Sequence, residues 1–215
     1  MANSLYAERS DCCLCDAVTD SLSNKEKSLI ENWFMYESEH FIIIPSLGPF
    51  VEGQIMIVSK SHFPNLKSMN KNVLDDLNKV FEIIKTKTKT IYNSHLLFAE
   101  HGAFNDIQKG GACVIHMHIH CIPGYVDGIA ALKKLLKIHY SGIDLNELWK
   151  INKPYILIIN SFDNKNYIFE AEDVPSQMIR RTLLANRGII NNWNWRANYD
   201  YELISKTLFN WFLKE

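Results

Sequence analysis

The sequence predicts an α+β chain: a mixed, mostly antiparallel sheet with one long helix on a face, followed by an α/β C-terminal extension. Three stretches carry that expectation. Residues 114–123, Val-Ile-His-Met-His-Ile-His-Cys-Ile-Pro, alternate polar and apolar positions as a half-buried strand does, with His116, His118 and His120 on one face. Between residues 70 and about 94, the apolar positions Val73, Leu74, Leu77, Val80, Phe81, Ile84 and Ile91 recur at three- and four-residue steps, the period of an amphipathic helix. Residues 154–159 and 166–169 are apolar runs on either side of a polar turn at 162–165, which reads as a hairpin.

The remaining elements follow in chain order. Residues 33–36 and 41–44 are aromatic and β-branched runs that read as a first pair of strands around a turn at 37–40. Two prolines and a glycine make residues 45–49 a loop, and residues 54–59 are the next strand, ending into Lys60, Ser61 and His62. Asn70 or Asn72 caps the long helix, whose apolar stripe is expected to face the core. Residues 96–100 form a strand that runs into a loop containing His101, Gly102, Asn105, Gly110 and Gly111, which feeds the histidine strand. Taken alone, Gly110 and Gly111 read as a plain turn; glycines let backbone N–H groups approach an anion closely, so beside three histidines a phosphate cradle gains weight. Pro123 and Gly124 end the strand. Beyond it, residues 129–138 read as a helix with a basic face and residues 177–185 as a helix ended by Gly188. Arg180 and Arg181 on that helix could reach a phosphate, but arginines on a helix surface are more often solvated, and solvation is the expectation here. No Pro/Gly/Ser linker divides the chain, so residues 125–215 read as an extension packed on a core of residues 1–124.

Composition narrows the function classes. At 215 residues and 47% hydrophobic, the chain can bury one sizeable core with an extension. With 23 basic residues against 24 acidic ones, and no basic stripe, no nucleic-acid partner is expected. The first eleven residues lack a basic segment followed by an apolar one, and no apolar run approaches the roughly 20 residues of a membrane span. Five cysteines, an odd and clustered set, argue against a disulfide framework and for a reducing, cytoplasmic location.

The chemistry sits in two motifs. Alternate rings along a strand lie roughly 6.6–7 Å apart, so protonating one histidine discourages its neighbours and at least one stays neutral near pH 7. A neutral imidazole serves as metal ligand, general base or nucleophile. Three histidines converging on one catalytic metal is an alternative, but the outer pair lie roughly 13 Å apart along a straight strand, which strains it. The second motif is Cys12-x-x-Cys15, whose spacing suits zinc, a redox dithiol or a disulfide. Residues 7–11 make a poor buried strand, so zinc is preferred over a thioredoxin-like dithiol. A tetrahedral site needs two further ligands, which would be histidines from elsewhere in the chain.

In content and order, Cys12-x-x-Cys15, the strand ending in Lys60-Ser61-His62, the long helix, the glycine loop and His116-x-His118-x-His120-x-x-Pro123 resemble the histidine triad (HIT) superfamily. The resemblance covers residues 12–124 and points to the extended subgroup with a zinc-binding Cys-x-x-Cys, since Trp193-Asn-Trp195 is similar to the tail of extended HIT-like proteins. It implies a HIT-like fold, a homodimer, and a nucleotidyl hydrolase acting on phosphoanhydrides, esters or phosphoramidates of nucleotides. A nucleotidyltransferase or phosphorylase, or a non-catalytic nucleotide-binding module, is the alternative. By position His118 matches the nucleophile that forms a nucleotidyl-histidine intermediate. His120 matches the residue that contacts phosphate and helps the leaving group depart; the transferase branch commonly has glutamine there, so His120 favours hydrolysis. Cys12, Cys15, His62 and His116 match the ligands of a structural Zn2+. His101 and Asn105 both match the family's asparagine position, depending on alignment. The chain departs from the family at Ala112-Cys113-Val114, which lacks the amide and hydroxyl side chains expected before the triad, and at Pro45-Ser46, where an acidic ribose ligand is expected.

Overall fold

The computed structural model describes residues 12–23, 33–105 and 109–214. Residues 7–11 and positions 106–108 of the glycine loop lie outside them. One eight-stranded sheet organises the chain: β1 (Tyr36–Glu37), β2 (Phe41–Pro45), β3 (Ile55–Ser59), β4 (Leu96–Gly102), β5 (His118–Pro123), β6 (Ile138–Gly142), β7 (Tyr155–Asn160) and β8 (Lys165–Glu170). Their order across the sheet is β1-β2-β3-β5-β4-β7-β8-β6, and every pairing is antiparallel. Around it lie α1 (Cys13–Ser23), α2 (Lys71–Tyr92), α3 (Ile129–Leu135), α4 (Met178–Asn186) and α5 (Tyr201–Leu213). None of these helices is long and apolar enough to cross a membrane.

The sheet is covered on both faces, and that is why its central strands are buried throughout instead of alternating. On one face α2 and α5 bring Val73, Leu77, Val80, Phe81, Ile84, Leu208 and Trp211 onto Ile43, Ile57, Phe98, Ile119 and Leu157. Asn70 caps α2 by accepting from the Val73 N–H, and Asn93 closes it in the left-handed conformation. On the other face two separate covers meet the sheet. Leu14, Cys15 and Val18 of α1 pack on Ile42, Ile44, Met56 and Val58. Ile129 and Leu132 of α3 and Ile179 and Leu183 of α4 pack on Leu97, Ala99, Ile122, Ile156 and Ile158.

Three expectations shift. The histidine strand begins at His118, because β3 stops at Ser59 and the chain upstream leaves the ladder: Met117 N–H donates to the Phe63 carbonyl at 2.6 Å. β4 runs two residues further than its apolar run, through His101 and Gly102, because β7 pairs with it along its whole length. The basic helix ends at Leu135, and residues 138–142, half exposed, become an edge strand on β8. Residues beyond 125 therefore extend the same sheet by three strands.

Candidate active site and metal cluster

Strand register sets the site. Val58 opposes His118, and both Met56 and Ala99 oppose His120, so both histidines stand on the face covered by α1 and α4. His101, two residues beyond Ala99 on β4, shares that face. Between the two helices opens a cleft that His101, His118 and His120 line together with Phe50, Met56, Gln177, Arg180 and Trp195. Cys13 and Leu14 of α1 close one side, and residues 177–180 of α4 the other.

The His118 ring is held by its own strand: Nδ1 lies 2.7 Å from the His116 carbonyl and donates to it, which leaves the Nε2 lone pair unprotonated. His120 stands edge-on to it, with ring centroids 5.1 Å apart, and its Nδ1 is buried without a hydrogen-bond partner. Burial pushes His118 below its usual range and His120 down to about 3, the latter helped by the positive ends of His118, Arg180 and His101. Neutrality of the row thus comes chiefly from desolvation, with repulsion between neighbouring rings second. His101 is also pushed down to about 4 by burial, and its Nε2–H donates to the Gly110 carbonyl at 2.6 Å.

A second group lies beside the cleft. Cys12, Cys15, His62 and His116 are buried, and one ligand atom from each falls within 4.8 Å of all the others. The His116 Nδ1 is 3.4 Å from both the Cys12 and Cys15 sulfurs, and the His62 Nδ1 is 3.4 Å from Cys15. Tetrahedral zinc with ordinary Zn–S and Zn–N bonds sets sulfur and nitrogen about 3.5 Å apart, so this group fits a zinc site. His116 Nε2–H donates to the Ser59 carbonyl at 2.7 Å, which turns the bare Nδ1 toward the thiols. Burial pushes His116 down to about 4, keeping it neutral as a ligand must be. No disulfide joins any of the cysteines among the described residues. His116 therefore faces a different set of partners from His118 and His120, and the three do not converge on one point.

The glycine loop sits differently. A Cβ on Gly110 would meet Pro154 at 2.1 Å, and one on Gly111 would meet the Val174 carbonyl at 1.9 Å, with φ of +56° and +81°. Both glycines are thus required for close packing on the extension, and neither is among the cleft's lining residues. Asn105 is exposed at the edge of the described segment.

The family model of the HIT domain matches residues 27–127. Just under half of the chain is thus similar to a HIT domain. An uncharacterised HIT-like protein of Mycoplasma genitalium is 26% identical over 120 residues, 55% of this chain and 77% of that one. Protein hit of Bacillus subtilis is 26% identical over 117 residues, 53% of this chain and 78% of that one. Among solved structures, a hypothetical histidine triad nucleotide-binding protein from Sulfolobus tokodaii is similar at 26% identity and a TM-score of 0.38, covering 48% of this chain and 66% of that one.

Among the lining residues left out of the candidate set are Gln54, Gln177, Arg180 and Trp195. The last three belong to the extension beyond the HIT domain. Gln177, held at φ +60°, accepts from the Trp195 N–H at 3.0 Å and so ties the tail to the start of α4. Arg180, expected on a solvated surface, instead donates to the carbonyls of Gly48 and Asn192 and lies over the Phe50 ring at 5.0 Å. One hint was present: no acidic residue stands within four positions of Arg180. Ser46, in place of the acidic residue noted above, lies in the cleft and accepts from the Gln54 amide at 3.3 Å.

Proposed function

We propose that this chain hydrolyses a nucleotide phosphoanhydride, ester or phosphoramidate through a covalent intermediate on His118. The observation that carries the reading is the His118 ring, pinned through Nδ1 to the His116 carbonyl with its other nitrogen bare, on the wall of a cleft that no acidic residue lines. In the first step the Nε2 lone pair forms a bond to the α-phosphorus as the bond to the leaving group breaks. The leaving group departs with that electron pair and takes up a proton from solvent, and the water that attacks in the second step releases one in its place. In the second step water attacks the same phosphorus, the N–P bond breaks, and His118 recovers its lone pair. His120, with an unsatisfied nitrogen in the same cleft, supplies the hydrogen bond to a phosphoryl oxygen, and an anion bound there restores its affinity for a proton. His101 lines the cleft, fixes the glycine loop at Gly110 and is assigned to the substrate side.

Cys12, Cys15, His62 and His116 would hold one Zn2+ with four protein ligands and no open position, so its chemistry is structural. The chain's own residues do the rest: they tie α1 to the segment that positions His118. The homodimer that the resemblance implies would form away from β4, whose outer edge β7 of the same chain occupies.

The test is rapid-quench mass spectrometry with a panel of dinucleoside polyphosphates, nucleoside phosphoramidates and sugar nucleotides. Wild type is expected to gain one nucleotidyl group on His118 and to release a nucleoside monophosphate. His118→Ala is expected to lose at least about a thousandfold in turnover. An alanine variant that still turns over sinks the reading, whereas nucleotide binding with neither adduct nor product favours a non-catalytic module. Release to a phosphate or sugar-phosphate acceptor, in preference to water, favours the transferase.

A further inference from the structure

We infer that Arg180, on α4 of the C-terminal extension, is an anion-binding residue of this cleft that pairs with phosphoryl oxygens of the bound substrate. The inference rests on the nucleotide reading of the cleft and extends the binding site beyond the HIT domain.

Three observations support it. First, Arg180 is the one lysine or arginine among the cleft's lining residues, and no aspartate or glutamate is among them. Second, its charge has no counter-ion. Its partners are the carbonyls of Gly48 and Asn192 and the Phe50 ring, and no carboxylate among the described residues is within ion-pair distance. Arg187, about two turns on, differs in meeting Asp127 at 3.1 Å. Carbonyls orient a guanidinium without neutralising it, and a cation withdrawn from water without a counter-charge is costly. Burial accordingly draws Arg180 down to about 10. Third, the anchoring is incomplete. A guanidinium has five N–H donors; three are used, by Nε and Nη2 to Asn192 and by Nη1 to Gly48, which leaves one each on Nη1 and Nη2. Two parallel donors are the geometry that suits a phosphate. The guanidinium is also near enough to His120 to depress its protonation, so an anion bound between them would meet both groups.

A purely structural role, strapping the 46–54 loop to Asn192, is the competing account. It predicts that loss of Arg180 weakens every ligand alike. Calorimetry on the full chain separates the two, with inorganic pyrophosphate, the four ribonucleoside 5′-monophosphates and their nucleosides as probes. Arg180→Gln, which keeps hydrogen-bonding capacity but no charge, is expected to weaken pyrophosphate and monophosphates by about tenfold or more while nucleosides stay within about twofold. Should that variant fail to fold, Arg180→Lys is read instead: about fivefold weaker for phosphate-bearing probes, with nucleosides unchanged. Equal losses for both probe types, no loss for either, or no phosphate binding by wild type overturns the inference. The hydrolase reading fails separately. An adduct on His118 forming at the wild-type rate in Arg180→Gln overturns this inference alone, and Arg180-dependent phosphate binding with no adduct in wild type overturns the hydrolase alone.

Discussion

The two walls of the cleft are built by different physics. The α1 wall buries little apolar surface, mainly Leu14 and Val18, and is joined to the rest at four converging ligand atoms. The α4 wall rests on a cluster of fourteen buried residues, and the three strands before it continue the ladder of β4. One wall therefore rests on a cluster that fits a metal ion and the other on an ordinary hydrophobic core. Both present residues to the same two histidines, so the active site joins a chelated edge to a packed one.

Breaking the chelated edge is expected to have the largest effect. Cys15→Ser removes a sulfur 3.4 Å from both His62 and His116 and leaves those rings buried around an incomplete set. Elemental analysis is expected to fall from one zinc per chain to near none. Since metal binding in such sites is folding free energy, the thermal midpoint is expected to fall by on the order of 10 °C or more. Adduct formation at His118 should drop with it, because the carbonyl that pins that ring belongs to the ligand His116. Full metal content with an unchanged midpoint would contradict a structural zinc.

The packed edge is expected to fail differently. Leu183 is fully buried in the α4 cluster, seated where Gly128 carries no side chain: a Cβ there would lie 2.1 Å from its Cδ2. Leu183→Ala leaves a cavity, with an expected loss of about 2–5 kcal/mol by chemical denaturation. Zinc content should remain at one per chain. If both variants lost metal and stability together, the two walls would be one cooperative unit and the contrast would dissolve.

How much of this was legible in the sequence differs between the same two regions. Residues 12–124 declared themselves through local pattern: α2 by its period and its Asn70 cap, β5 by alternation, and the cluster of Cys12, Cys15, His62 and His116 by residue chemistry joined to motif order. The hairpin of β7 and β8 was readable from its apolar runs and polar turn. What stayed hidden depends on long-range pairing. Nothing near residues 138–142 marks an exposed edge strand, and α1 and α5 carry no periodic stripe as long as that of α2. Arg180 reads as an ordinary surface arginine because its position is set by Gly48 and Asn192, and Gly48 is 132 positions away. The positive φ of Gly110 and Gly111 and their close contacts with the extension, at Pro154 and Val174, depend on residues more than forty positions away and so left no local mark.

The smallest expected effect lies on the opposite face of the sheet from both walls and sharpens the contrast by sparing them. Glu100 is fully buried there, accepting from the Leu66 N–H at 2.8 Å and from the Tyr155 hydroxyl at 2.7 Å. Burial raises its carboxyl to about 7 against the pull of Tyr155, Leu66 and Lys67, which all favour the charged form. The folded chain therefore keeps a proton that the unfolded chain releases near 4.5. Between those two values the folded state binds more protons, so this residue's contribution to stability falls as pH rises from about 4.5 to 7 and is level above that, by up to about 3 kcal/mol in all. Glu100→Gln keeps the shape and an acceptor for Leu66 while removing the titration. Near pH 5 the variant should match wild type, and near pH 8 it should be the more stable of the two. Protonation of the metal-binding histidines slopes the other way in both proteins and cancels in their difference. Parallel denaturation curves across that range would show that Glu100 is ionised in the folded chain at no cost, and a change in His118 adduct rate beyond about twofold would show that the two faces of the sheet are coupled.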